Sequence, residues 1–488
     1  MSSWGRRSCL ALSLTTLLAA TAIPAVAAES LPDQLVKQVG SAGINRHLIA
    51  LQRIADTNGH TRAASTPGHA ASAEYIAGKL EAAGYDVTRQ EFPFVYTQTL
   101  AQKLTVNGTD VPIIVMTYSP STPEGGITAP LAVIPVDDTP GCEKSDFGDV
   151  TGKIVLVRRG GCTFAQKQQS AADAGAVGAV IYNNADGDLN GTLGDPSAAR
   201  IPTGGITKAA GADLATRAGA QVTLELRQLR ESRTSYNVVA ETKTGRKDNV
   251  VMAGAHVDSV PAGPGINDDG SGSATLLEIA LRLGGSPKVA NAVRFGFWSA
   301  EELGLIGSTY YVDSLSFDQQ LDIALYLNFD MIASPNAGYF VYDGDDSDHT
   351  GAGPGPYGST QIEQTFTGYL NGHGVATEGT DFDGRSDYGE FIAVGIPSGG
   401  LFTGAEGIKT ADQATKWGGK AGTAYDPCYH QLCDNLGNLD YVALDRNADA
   451  AAYAIGTYAL STQSINGVTS TGPAKKPARL HTQAVKAG

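Results

Sequence analysis

The strongest constraint on the fold is a series of apolar, strand-like runs that each end in histidine or carboxylate residues. His256 directly follows one such run, Glu301 and Glu302 follow a second, and Asp330 follows a third. Helical patterns separate these runs, and this alternation predicts an α/β fold with a mixed, largely parallel sheet flanked by helices. Because polar side chains at the carboxyl ends of such strands meet at one edge of the sheet, we expect these residues to share a site.

Two further segments complete this set of residues. GINDDGSG contributes Asp268, and DPCYHQLCD contributes His430. Together the segments supply two imidazoles and four carboxylates. Two divalent metals need about this set: one His and one carboxylate each, one shared carboxylate, and one carboxylate left free as a base. The sequence therefore predicts a two-metal hydrolytic site.

Each segment also has an ordinary structural explanation. Asp269 could cap the helix that follows it, and adjacent Glu301 and Glu302 could form the acidic first turn of a helix. Asp330 could be a turn residue. Adjacent buried carboxylates repel one another, however, and are costly unless cations offset them. The joint occurrence at the ends of successive strands favours the metal site.

The N-terminus is typical of a secretory signal peptide. Arg6 and Arg7 precede an apolar run at 10–20, and Ala25-Val26-Ala27 fits a cleavage pattern. Cleavage there would change the net charge from −15 to −17, since two Arg and no acid are removed. So acidic a protein is not expected to bind nucleic acid or an anionic membrane. We expect a secreted, extracellular, monomeric protein.

Four cysteines remain after Cys9 is removed with the signal peptide. An even number in an exported chain predicts disulfides, and local pairing would join Cys142 to Cys162 and Cys428 to Cys433. A cysteine zinc site is the alternative, but the spacings and the oxidising compartment disfavour it.

Residues from about 126 to 228 differ in character from the rest. They alternate short apolar runs with turns and carry none of the metal-type motifs. We interpret them as a smaller, β-rich α+β domain inserted into the catalytic one. The predicted division is a signal peptide at 1–27, catalytic domain at 28–125 and 229–464, the insert at 126–228, and a disordered or processed tail at 465–488.

Six motifs together resemble a known family: AGAHVDSV, PGINDDGSGS, AEELGLIGS, YLNFDMI, GRSD and CYHQLCD. They are similar to those of secreted bacterial leucine aminopeptidases and of the aminopeptidase Y and aminopeptidase S group, the co-catalytic dizinc exopeptidases. The resemblance covers about residues 42–95 and 230–462. The insert, with GKIVLVRRGGCTF and AGAVGAVIYNN, resembles a protease-associated domain. The resemblance implies a zinc aminopeptidase. Such an enzyme removes large apolar residues, such as leucine, from peptides with a free N-terminus.

The resemblance also implies a ligand set. His256 and Asp330 would hold one zinc, Glu302 and His430 would hold the other, and Asp268 would bridge the two.

It implies further roles around the metals. Glu301 would be the general base and Asp258 would support His256. Tyr429 would hydrogen-bond the developing oxyanion, and Arg385 would help to fix the substrate. The loop after Arg385 departs from the family pattern, because many relatives have His at the position of Tyr388.

Some assignments stay open at this point. Met331 and Phe402 are candidates for an apolar substrate pocket or ordinary core residues. Asp445 and Asp449 lie four residues apart on a predicted helix, as in calcium-binding relatives, but no matching Asp occurs near residue 39. A carboxypeptidase or a glutaminyl-cyclase-like enzyme on the same fold is the alternative function, and a non-catalytic binding protein, which predicts missing ligands, is another.

Overall fold

The computed structural model describes residues 29–351 and 353–469, together with residues 1, 2, 4 and 5. Most of the predicted signal peptide, including its Arg pair and cleavage site, lies outside the described residues, as does the predicted tail from residue 470 onwards. Among the described residues, no helix combines the length and apolar character needed to cross a membrane.

The described chain alternates strands and helices. The strands are β1 Asp86–Val106, β2 Thr109–Val111, β3 Ile114–Val115, β4 Ile127–Val133, β5 Ile154–Arg158, β6 Gly178–Tyr182, β7 Thr203–Ile206, β8 Gln221–Glu241, β9 Arg246–His256, β10 Asn291–Trp298, β11 Ile323–Phe329, β12 Phe340–Tyr342, β13 Glu378–Thr380 and β14 Ser398–Phe402. The α-helices are α1 Leu31–Gln38, α2 Ser41–Thr57, α3 Pro67–Ala82, α4 Phe164–Asp173, α5 Lys208–Leu214, α6 Gly270–Leu283, α7 Ile306–Ser314, α8 Phe317–Asp322, α9 Ser359–Gly372, α10 Tyr388–Ala393, α11 Ala411–Trp417, α12 Tyr441–Leu460 and α13 Gln463–Asn466.

The catalytic part is built on the strand order β13-β12-β14-β11-β9-β10-β8. The four strands β14, β11, β9 and β10 pair in parallel, while β8 pairs antiparallel with β10, and β12 pairs antiparallel with β14 and parallel with β13. Alternate residues of β9 face opposite layers: Val251 and Ala253 belong to one hydrophobic cluster and Met252 to another. Helices α2, α6, α9 and α12 pack on the first face, and α7, α8 and α10 on the second. The predicted mixed, largely parallel sheet with helices on both faces is confirmed.

Helix α1 is part of this core. Leu35 and Val39 are buried in the main hydrophobic cluster, and α1 packs along α12. The approach is close because Gly456 has no side chain; a Cβ there would lie 2.8 Å from Pro32 Cα. The first described helix therefore packs as part of the main hydrophobic core.

A long antiparallel ribbon connects the catalytic domain to the insert. Strands β1 and β8 pair from Asp86 opposite Glu241 to Val106 opposite Val222, with one register shift near residue 100. Near the catalytic domain, Phe92 of this ribbon packs in a cluster with Ala300. The insert therefore stands at the tip of a hairpin of the catalytic sheet.

The insert has a core of its own around the strands β4, β5, β6 and β7, which pair in parallel along the order β4-β5-β6-β7. Leu104, Val106, Ile113 and Val115 pack in that core. The insert's packing thus begins before the predicted boundary at residue 126. The ribbon explains the difference, because one continuous strand serves both domains and its residue pattern does not change where they meet.

The C-terminal boundary also differs from the prediction. Residues 463–466 form α13, and Ile465 and Val468 are buried. Ile465 packs in the main hydrophobic cluster, so the ordered catalytic domain extends past residue 464. Both predicted disulfides, Cys142–Cys162 in the insert and Cys428–Cys433 in the catalytic domain, are present.

Candidate metal centre

The carboxyl ends of three neighbouring strands bring the predicted ligands together. His256 is the last residue of β9, and Asp330 directly follows β11. Glu301 and Glu302 lie in the turn after β10. Because β10, β9 and β11 are adjacent and parallel, these turns share one edge of the sheet.

Two groups of side chains face each other at this edge. In the first, His256 Nε2 lies 3.1 Å from Asp268 Oδ1 and 3.6 Å from Asp330 Oδ1. In the second, His430 Nε2 lies 3.0 Å from Glu302 Oε2 and 3.3 Å from Asp268 Oδ2. Within each group, one ligand atom per residue falls within 4.8 Å of the others. Asp268 belongs to both groups and directs one oxygen to each.

The electrostatics of this cluster fit bound cations. Burial raises the pKa of Glu302 to about 7, and the charge of Asp268 adds to the rise. Burial likewise raises the pKa of Glu301 well above its usual value. The Oε1 atom of Glu302 is buried without a hydrogen-bond partner. Divalent cations between the two groups would offset the cost of burying these charges and would satisfy that oxygen.

The adjacent side chains of Asp268 and Asp269 have different partners. Asp269 caps helix α6 by accepting from the N–H of Gly272 at 2.8 Å, and it also accepts from the N–H groups of His256 and Met331 at 3.2 Å. The capping explanation therefore holds for Asp269. Its neighbour Asp268 faces the two histidines instead.

Asp258 connects the turn after His256 with the turn that carries Glu301, and the sequence did not predict this connection. Its backbone carbonyl lies 3.1 Å from His256 Nδ1, whereas its carboxylate Oδ1 lies 3.8 Å from that nitrogen. The same Oδ1 accepts from the N–H of Glu301 at 3.2 Å. The carbonyl thus orients the imidazole, and the carboxylate holds the turn that carries Glu301.

A cavity opens onto this cluster, and the predicted substrate residues line it. Tyr429 stacks on His430 with ring centroids 3.8 Å apart, and its hydroxyl accepts from Arg385 Nη2 at 3.4 Å. Met331 is buried and Phe402 is partly buried. The cavity is lined by Asp268, Glu301, Asp330, Met331, Tyr342, Thr380, Asp381, Asp383, Arg385, Ser386, Phe402, Ala405, Tyr429 and His430.

Tyr388, the departure from the family pattern, lies beside this cavity and braces its loop. It is buried, donates from its hydroxyl to Asp383 Oδ1 at 2.8 Å, and accepts from the N–H of Gly384 at 2.9 Å. In the same loop Ser386 donates to Asp330 Oδ2 at 2.5 Å, which fixes that carboxylate.

Comparison with known proteins matches this architecture. The model of peptidase family M28 matches residues 237–455, and that of the PA domain matches residues 127–214. The chain is 49% identical over 440 residues to the probable lipoprotein aminopeptidase LpqL of Mycobacterium tuberculosis, covering 89% of this chain and 88% of that protein. The chain belongs to peptidase family M28.

Two further likenesses agree with this assignment. The chain is 43% identical over 444 residues to leucine aminopeptidase 2 of Trichophyton rubrum, covering 90% of this chain and 87% of that protein. The solved structure of BSAP, a zinc aminopeptidase from Bacillus subtilis, has 27% identity and a TM-score of 0.58, with 87% of this chain and 96% of that chain covered. The predictions of an aminopeptidase of the aminopeptidase Y and aminopeptidase S group and of an inserted protease-associated domain are confirmed.

Sequence reasoning missed Arg62, which ties together two loops of this M28 enzyme that carry candidate metal ligands. Its side chain is fully buried. It donates to the carbonyl of Pro264 at 2.8 Å and to the carbonyls of Val257 and Gly265. Val257 directly follows His256, and Gly265 shortly precedes Asp268. An arginine in a loop far from every motif gave no signal of this role.

Asp426 and Asp434, which bracket the disulfide loop, were also missed. Asp434 accepts from the N–H groups of Asn267 and Asp268 at 2.8 and 3.0 Å, and Asp426 accepts from Asn267 Nδ2 at 2.7 Å. They attach the loop that carries His430 to the loop that carries Asp268. Their position at both ends of the CYHQLC segment was the available signal.

The candidate calcium residues Asp445 and Asp449 lie on helix α12. Asp445 accepts from the N–H of Ser41 at 3.2 Å. Within the part of the chain that the structure describes, the groups of three or more metal-type side chains do not include Asp445 or Asp449. A third acidic group contains Asp343, whose carboxylate accepts from the N–H groups of its own loop.

Proposed function

We propose that this M28 aminopeptidase is a secreted enzyme that uses two zinc ions to remove large apolar N-terminal residues, such as leucine, from peptides. The observation that carries the two-metal proposal is the position of Asp268 between two His–carboxylate groups, with one oxygen toward each. Nitrogen and oxygen ligands in this combination suit zinc. BSAP is described as a zinc aminopeptidase, which supports the choice of metal.

In this proposal His256 and Asp330 would hold one zinc, Glu302 and His430 would hold the other, and Asp268 would contribute to both. When bound, the metals would act as Lewis acids toward the scissile carbonyl and raise the acidity of a water molecule. Glu301 stays outside both ligand groups and lines the cavity. It would therefore take the proton from the attacking water and pass it to the leaving amine.

The other cavity residues orient the substrate. The Tyr429 hydroxyl would donate a hydrogen bond to the oxygen on which negative charge develops. Met331 and Phe402 would contact an apolar side chain, and the name of leucine aminopeptidase 2 supports leucine as a preferred residue. Arg385 would contact the peptide beyond the cleaved bond.

The charge of the cavity favours a substrate amine over a substrate carboxylate. Apart from the proposed zinc ligands, its described lining contains the carboxylates of Glu301, Asp381 and Asp383 but a single Arg and no Lys. A carboxypeptidase would need free positive charge to hold the C-terminal carboxylate, and the carboxylate of Glu406 beside that Arg would repel this group. Secretion is supported by the predicted signal peptide and by two disulfides.

The test compares leucine p-nitroanilide with its N-acetylated form, with and without a zinc chelator. We expect cleavage of the free-amine substrate alone, loss of cleavage with the chelator, and recovery with zinc. Glu301→Gln should lower kcat by about 10² to 10⁴ while both zinc ions stay bound, as measured by elemental analysis.

The neighbouring Glu302→Gln is the matched variant, because it removes a proposed ligand and should lower zinc content as well as rate. If Glu301→Gln keeps more than about a tenth of the activity, the rate loss is smaller than the removal of a general base produces, and the assigned role is wrong.

A further inference from the structure

The single arginine among the described cavity-lining residues is engaged by an acid that lies outside the metal cluster. Arg385 Nη1 lies 3.0 Å from Glu406 Oε1, and Arg385 Nη2 donates to Glu406 Oε2 at 3.3 Å. Both side chains are 57% exposed. An ion pair this exposed contributes little to stability, so its members can exchange partners when a charged ligand arrives.

The position of Arg385 relates it to a particular part of a peptide substrate. Its Nη2 is 3.4 Å from the Tyr429 hydroxyl, the group that we place at the scissile carbonyl. Arg385 therefore lies next to the residue that follows the cleaved bond, since consecutive Cα atoms are about 3.8 Å apart. In a dipeptide this residue carries the free C-terminal carboxylate. In a longer peptide it carries a neutral amide.

We propose that Glu406 discriminates against a free carboxylate at this position, so that the enzyme favours longer peptides over dipeptides. This inference rests on the proposed function. A dipeptide carboxylate would have to displace Glu406 from Arg385 and would be repelled by it, whereas a backbone amide meets neither obstacle. Repulsion between two like charges about 6 Å apart in water, such as Glu406 and the dipeptide carboxylate, weakens binding by roughly threefold.

The experiment measures kcat/KM for the dipeptide Leu-Gly and for its C-terminal amide. Both have the same free amine and scissile bond, so their ratio isolates the effect of the carboxylate. In Glu406→Gln and in Glu406→Ala the ratio of dipeptide to amide should rise about threefold over the wild-type ratio. The rise should shrink in 1 M salt, where charges are screened over about 3 Å.

Asp173→Asn is the matched control. Asp173 pairs with Arg200 at 3.2 Å in the insert, and the two side chains are 52% and 53% exposed, close to the values at Glu406. This variant removes one surface carboxylate from an ion pair away from the cavity, and its substrate ratio should equal that of the wild type.

The outcomes separate the inference from the proposed function. If the wild type cleaves both substrates and the Glu406 variants change both equally, the inference is overturned while the function stands. If the Asp173 variant shows the same rise, a general charge effect explains it and the inference is again overturned. If the wild type cleaves neither substrate, the proposed function fails and the inference fails with it.

Discussion

The buried side chain of Arg62 offers a quantitative test of how the metal centre is held. Replacement by Met keeps an apolar stem of similar length but removes every donor. Two buried carbonyls, those of Val257 and Pro264, would lose the donor that Arg62 supplies, whereas that of Gly265 keeps the N–H of Gly270 at 3.0 Å. Each unsatisfied buried acceptor costs about 1–3 kcal/mol. Removing one partner of a buried ion pair typically lowers the free energy of unfolding by about 3–5 kcal/mol.

We therefore expect Arg62→Met to lower the free energy of unfolding by about 4 kcal/mol, a large share of the roughly 5–15 kcal/mol of a typical protein. The effect should extend to the metals, because Arg62 fixes the loops on either side of the ligands. Zinc affinity should fall about tenfold or more, as it does when groups that orient ligands are lost. Guanidinium denaturation with and without zinc measures the free energy of unfolding. Competition with a chromophoric chelator measures the zinc affinity.

Arg294→Met is the matched control for this prediction. Arg294 donates to Glu241 Oε2 and to the Tyr311 hydroxyl, both at 2.7 Å, and neither partner belongs to the metal centre. This variant should lose stability but keep its zinc affinity. If Arg62→Met unfolds within about 1 kcal/mol of the wild type and binds zinc as tightly, the reasoning from its three hydrogen bonds is refuted.

Two further predictions concern the disulfides and one buried lysine. Replacing Cys428 and Cys433 by Ser should lower the free energy of unfolding by about 2 kcal/mol and weaken zinc binding on the His430 side. The same change at Cys142 and Cys162 should lower the free energy of unfolding by about 3 kcal/mol without changing zinc affinity. Thermal unfolding and zinc titration measure the two effects in each variant. Equal zinc affinities in the two variants would contradict the prediction. Burial lowers the pKa of Lys167 from its ordinary 10.5 to about 8. The folded chain then releases this proton at a lower pH than the unfolded chain does, so the free energy of unfolding should rise between pH 8 and 10.5. Lys167→Met should remove that rise in urea denaturation, and parallel pH curves for the two proteins would disprove the assignment.

The residues that meet at the candidate metal centre could be found from the sequence because they are chemically distinctive. His256, Glu302 and Asp330 follow apolar runs, and Asp268 and His430 lie in two further conspicuous segments. Strand ends are local features, and parallel pairing then brings His256, Asp330 and the Glu301 turn to one edge. The disulfides were predictable for a similar reason, since both pairs are close in sequence. The roles of the individual ligands and of Glu301 stay predictions until the proposed experiments are done.

The residues that hold the ligands could not be found in this way. Arg62 binds backbone carbonyls about 200 positions later in the chain, and a carbonyl has no residue-type signature. Which atom of Asp258 meets His256 depends on the turn geometry, which the residue types do not specify. The point at which the insert's packing begins could not be found either, because β1 continues from one domain into the other without a change of pattern.

The ribbon of β1 and β8 has an evolutionary consequence. The insert leaves and re-enters the catalytic sheet at residues that are direct neighbours across two strands, as at Val106 and Val222. For the peptidase, an entire second domain occupies the place of a hairpin turn. A gene could therefore acquire, lose or exchange such a domain by recombination at paired positions of the ribbon, while the order of the strands that carry the catalytic residues stays the same.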